Sequence, residues 1–244
     1  MHDPVLAAVA NNAAWCEAVC SAHGVPGEFH DGYWVNWGKV PAYTSKLIAL
    51  NDGQRAAQLE AIRELMKRDR AQGFSVKDAF QSLDLGSLGF EELFRASWIQ
   101  RDVSDVPRDS AERLSWSPVR DESELAAWEH AWRGSSANED APSERVFPAS
   151  LLRSGVTFLS GERQGVTVAT AALLRTGDVV GLCNVFSAVA DVGPLYPGCA
   201  RLAHELYPGL ALVGYERGAA LSGAERAGFR RLADLTVWLL RRTG

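Results

Sequence analysis

The chain has 244 residues, 47% of them hydrophobic and 23% charged, which is apolar material for one large core or two small ones. Its formal charge of −5 excludes the Lys/Arg excess with which a nucleic-acid binder meets phosphate, so no nucleic-acid partner is expected. No apolar run reads as a membrane span, and Met1-His2-Asp3-Pro4 lacks the basic start of a secretory signal. Four cysteines in a chain of this size do not suggest a disulfide framework, so the expectation is a cytoplasmic protein without a membrane partner.

Behind Pro4, residues Val5, Val9, Ala13, Cys16 and Cys20 recur at helical spacing and predict a helix over 4–22, ended by Gly24-Val25-Pro26-Gly27. Cys16, Cys20 and His23 share one face of it. A metal there needs a fourth ligand that no second cluster supplies, so the three read as core residues and no metal is expected. Residues 33–37 and 46–50 read as strands. Asn51 or Asp52 is placed to cap a helix over 53–71, whose apolar stripe is Leu59, Ile62, Leu65 and Met66 and whose stop is Gly73. Short strands follow at 74–77 and about 93–99. The polar stretch 101–113, with Pro107, reads as a linker, dividing the chain into units 1–104 and 116–244 joined by 105–115.

In the second unit a helix over about 122–133 carries Leu125, Trp128 and Trp132, which with Trp116 read as packing aromatics. Residues 134–145 are a polar loop without periodicity. The β-rich runs 156–160, 166–174 and 179–186 are separated by short glycine-containing turns and predict an antiparallel meander. A helix at about 199–206, a strand at 210–215, a helix at about 217–227, the pair Gly228-Phe229 and a strand at 235–240 complete the chain.

This order resembles the GNAT superfamily of acyl-CoA N-acyltransferases. Three stretches carry the likeness: Gly181–Phe186 at the end of the meander, the strand Leu210–Glu216, and Arg217–Phe229 with Ala220 and Gly228-Phe229 at matching spacing before a strand containing Trp238. Val76-Lys77-Asp78, Gly89-Phe90 and a strand with Trp98 form a fainter echo in the first half. The resemblance implies an α/β (α+β) fold with a mixed, largely antiparallel sheet flanked by helices. Its N-terminal α/β unit is then either a second, degenerate GNAT-like unit or an unrelated helical cap. It also implies acetyl-CoA as co-substrate and a small-molecule or protein amine as acceptor, joined by direct attack.

Such chemistry needs donors for a diphosphate, a hydrogen bond to the thioester carbonyl, a base for the amine and a proton for the departing thiolate. The best match to the family's phosphate turn is Leu195-Tyr196-Pro197-Gly198-Cys199-Ala200. Gly198, Cys199 and Ala200 would then offer main-chain N–H groups, with Arg201 beside them. Leu195 replaces the family's basic or amide residue, and Pro197 removes a donor. Asn184, Val185 and Phe186 would hold the pantetheine arm. Ala224 stands where the family places its acid tyrosine, which leaves Tyr215 as the substitute acid and Glu216 as the candidate base. The alternative is a non-catalytic binding or scaffold protein on the same fold. No nucleophile elbow, P-loop, dinucleotide turn or His-Glu-x-x-His helix occurs.

Overall fold

The computed structural model describes residues 3–69, 72–102, 114–134, 144–187 and 192–241. The expected loop over 134–145 and linker over 105–115 lie largely outside them.

The first half contributes strands β1 (Glu28–Phe29), β2 (Tyr33–Val35), β3 (Leu47–Ala49), β4 (Phe74–Asp78) and β5 (Glu91–Arg101). The second contributes β6 (Ser115–Pro118), β7 (Val156–Arg163), β8 (Val166–Thr176), β9 (Val179–Ser187), β10 (Ala211–Glu216) and β11 (Arg230–Leu240). All eleven join one sheet in the order β1-β2-β3-β4-β11-β5-β10-β9-β8-β7-β6. The last strand of each half is lent to the other: β5 lies between β11 and β10, and β11 lies between β4 and β5. Every pairing is antiparallel except β3 with β4 and β9 with β10.

Among the described residues five α-helices cover the sheet: α1 (Pro4–Ala22), α2 (Arg55–Asp69), α3 (Glu122–Arg133), α4 (Leu195–Leu206) and α5 (Gly218–Arg226). Asp3 caps α1 by accepting from the Val5 N–H at 2.8 Å. Asp121 caps α3 through the Glu124 N–H at 2.9 Å, while the Glu124 carboxylate reaches back to the Arg120 N–H at 2.7 Å. By length and a mean hydropathy of 1.2, α1 matches a membrane span, which the sequence pattern had not suggested. Here it lies across the sheet with Ala8, Val9, Ala13, Cys16 and Cys20 buried. The cysteines are free core residues, and no metal-binding cluster occurs among the described residues.

The strand alternation sends neighbouring residues to opposite faces. On one face α1 and α3 pack on the sheet: Val213 meets Ala8 and Val9, and Trp128 sits among Phe147, Phe158 and Leu151. The tryptophans there are packing residues, with Trp128 edge-on to Phe158 at 4.8 Å. On the other face α4 and α5 bury Leu195, Tyr196, Leu221 and Ala224 against Leu212, Leu182 and Ile99. In the first half, α2 buries Ile62 and Leu65 against Val35, Leu47 and Val76.

Three boundaries differ from expectation. Arg101, read as the start of a linker, is the last residue of β5 and is buried, its Nε donating to the Ala227 carbonyl at 2.9 Å. The helix expected from 199 starts at Leu195. Strand β6 was not foreseen; its Trp116 is held by packing on Gly161 and Gly198.

Candidate functional site

β9 and β10 run parallel and pair through Ala211↔Val179, Leu212↔Val180 and Val213↔Gly181, where the ladder stops. Beyond that point each strand continues with its outer neighbour only. Gly214, Tyr215 and Glu216 pair with Ile99, Trp98 and Ser97 of β5, and the end of β9 pairs with β8. The two strands therefore part like a fork. Gly214 stands at its base, where a Cβ would fall 2.6 Å from the Leu182 carbonyl oxygen. β9 also carries one extra residue opposite Ala171: Thr170 opposes Phe186 and Ala172 opposes Cys183. Asn184 takes up this bulge at a φ of 53°, and its carbonyl accepts from the Thr170 hydroxyl at 3.0 Å.

The fork opens into a cavity of about 260 Å³ beneath α1. Asn11, Asn12 and Cys16 of α1 form its roof. Asn11 is fixed there by two 2.8 Å bonds from its Nδ2, to the Leu174 carbonyl and the Thr176 hydroxyl, in space left by Gly181. Asn184, Val185, Tyr215 and Glu216 line the fork itself, and Tyr43, a non-glycine residue at a φ of 65°, stands on another wall. Backbone strain of this kind persists where the surrounding structure over-determines it.

Glu216 is half-buried, and loss of solvent pushes its carboxyl up to about 7; the Tyr196 hydroxyl and Arg217 oppose the rise. Tyr196, from the first turn of α4, is buried, and burial followed by the Glu216 charge pushes its phenol up. The two groups face each other closely enough to couple, outside regular hydrogen-bond geometry. Sequence reasoning passed over Tyr196 because it lies inside the stretch read as a turn. Its only local signal is an aromatic immediately before Pro197. Tyr215 points to the opposite face, edge-on to Trp98 at 5.5 Å, with the Lys77 Nζ 4.4 Å from its ring centroid.

Of the residues singled out from sequence, Asn184, Val185, Tyr215 and Glu216 meet around this cavity, and Phe186 lies just beyond it on β9. Gly198, Cys199 and Ala200 are elsewhere. They are buried inside α4 rather than displayed on a turn before it, and a Cβ on Gly198 would fall 2.4 Å from the Trp116 Nε1. Burial also pushes the Cys199 thiol up to about 12. Arg201 is exposed on the same helix. The helix N-terminus offers few donors: the Leu195 N–H bonds to the Val192 carbonyl at 3.1 Å, and Pro197 has none. Gly193 is pressed against Gly223 of α5, where an added Cβ on Gly223 would meet the Gly193 Cα at 2.3 Å.

No family model matches the chain, and no curated protein does. Solved structures do. A GCN5-related N-acetyltransferase from Kribbella flavida is 15% identical with a TM-score of 0.59, over 95% of this chain and 94% of that one. A GCN5-related N-acetyltransferase from Sphaerobacter thermophilus is 10% identical with a TM-score of 0.56, over 98% and 94%. A conserved protein of unknown function from Staphylococcus epidermidis is 8% identical with a TM-score of 0.61, over 88% and 94%. The mixed sheet, its forked parallel pair and this likeness over nearly the whole length give the chain the acyl-CoA N-acyltransferase fold of the GNAT superfamily.

Proposed function

We propose that the chain transfers an acyl group, acetyl in the simplest case, from a thioester to an amine held in the cavity at the β9–β10 fork. The observation that carries this reading is a carboxyl group poised near pH 7 on the wall of a gap between parted strands. An ordinary carboxylate is a weak base; one raised to about 7 takes a proton more readily and is still ionised in a large fraction of molecules at neutral pH. The amine nitrogen attacks the carbonyl carbon of the thioester. Its proton passes to the Glu216 carboxylate, the C–S bond breaks, and the thiolate leaves, taking a proton from the Tyr215 hydroxyl or from solvent. The bulge at Asn184 turns main-chain groups out of the β8–β9 ladder at the place where a carbonyl oxygen would need them.

Because the 195–200 segment is packed rather than open, recognition rests on the thioester end of the donor. Acetyl-CoA and the truncated thioester acetyl-pantetheine are expected to support rates within about tenfold of each other, which steady-state assays on both donors would check. Glu216→Gln is expected to lower kcat by roughly 10²–10⁴-fold with either donor. In the unmodified chain kcat/KM rises with pH through about 7, as the carboxylate forms. Free thiol that fails to appear with any amine and either donor would end the proposal. A second reading, a ligand-binding protein without catalysis, is favoured by one observation: the Gly193–Gly223 contact closes the seam between α4 and α5.

A further inference from the structure

Lys77 of β4 lies on the wall of the same cavity and is only 4% exposed. Its Nζ donates to the Asn12 Oδ1 at 2.5 Å and sits over the Tyr215 ring, and among the described residues it forms no ion pair. The other buried lysine, Lys46, shows the ordinary arrangement, with the Asp69 carboxylate at 2.5 Å. An ammonium withdrawn from water without a counter-charge is costly, and an amide oxygen and a ring face offset only part of that cost. The cavity thus holds one unmatched positive charge. It also holds a carboxylate, Glu216, which forms no ion pair with Lys77 among the described residues: Lys77 lies over the Tyr215 ring on one face of the sheet, and Glu216, the next residue along β10, turns toward Tyr196 on the other.

We propose that this cavity recognises a small amine that also carries a carboxylate, of the free amino-acid class, with the ligand carboxylate on Lys77 and Asn12 and its amine toward Glu216. A volume of about 260 Å³ suits a ligand of that size and is too small for a protein segment. The assignment names the acceptor class for the transfer proposed above and to that extent rests on it, but binding itself needs no thioester. Lys77 is here a specificity-determining residue, placed to contact the acceptor away from the reacting atoms.

The test is calorimetric titration of the full chain, without thioester, using the free L-amino acids and the carboxamide of each. At least one amino acid is expected to bind saturably, with its carboxamide at least about tenfold weaker. Lys77→Met should lose the same factor for the acid and little for the amide, and Lys77→Arg should recover part of it. Equal affinity of acid and amide, or no binding by any amino acid up to roughly 50 mM, overturns the proposal. The acid–amide comparison uses the unmodified protein, so it stands even where Lys77→Met fails to fold. The two readings also fail separately. Amino-acid binding without acetyl transfer removes the transferase and leaves this site; transfer to amines regardless of a carboxylate does the reverse.

Discussion

Glu216 has opposite effects on folding and on the proposed chemistry. Its carboxyl is raised above the usual carboxylate range because the folded chain strips it of water. The native state therefore holds a proton that the unfolded chain has already released. Stability from this group is fully present below about pH 4, where both states are protonated, and is lost as pH rises through about 7. Glu216→Gln, which carries no charge at any pH, is expected to match the parent Tm near pH 4 and to exceed it by a few degrees at pH 8, as a melting series across pH would record. A gain at pH 8 together with a loss of kcat would mark a residue kept for something other than stability. Asn11 illustrates the more usual bargain at this scale. Asn11→Ala would leave the Leu174 carbonyl and the Thr176 hydroxyl without their partner and is expected to cost about 1–3 kcal/mol in denaturant unfolding.

Among the elements, α4 and β6 show what one sequence can and cannot reveal. The meander β7–β8–β9, the helices α1 and α3 and the Gly228-Phe229 helix end were all legible, because each depends on local periodicity or on a glycine at positive φ. The start of α4 was not. Pro197-Gly198 reads locally as a turn, yet proline is tolerated in a helix's first turn, and Gly198 is there because the Trp116 ring lies against it, some eighty residues earlier in the chain. That same contact made β6 hard to foresee, since its only pattern is one tryptophan among serines. The candidate site was half legible. Glu216 and Tyr215 follow from their place at the end of a strand, whereas Tyr196 and Lys77 reach it only through tertiary packing. A prediction belongs here: Gly223→Ala would force a Cβ into the Gly193 backbone and is expected to destabilise the α4–α5 contact by about 1–3 kcal/mol. Gly24→Ala, with open space around it but a φ of 73°, tests strain alone and should cost less.

Over the whole molecule the governing feature is the crossing of final strands between halves. β4 and β11 pair over Thr236–Leu240, and β5 is flanked on both sides by strands of the second half. Residues 1–104 alone would expose the β4 edge and leave β5 without either partner, so this fragment is expected to be insoluble or unfolded when expressed by itself. Removing residues 230–241 should abolish the cooperative transition of the entire chain rather than that of its second half, which calorimetry would show as loss of a single peak. The exchange also has a consequence during synthesis. The slot between β4 and β5 stays empty until residues 230–240 have been made, so the centre of the sheet is completed only after the other described strands have been synthesised. Until then the nascent chain carries an open edge at its middle, and a pause or premature stop anywhere before residue 230 leaves β4 and β5 each waiting for a partner that has not been translated.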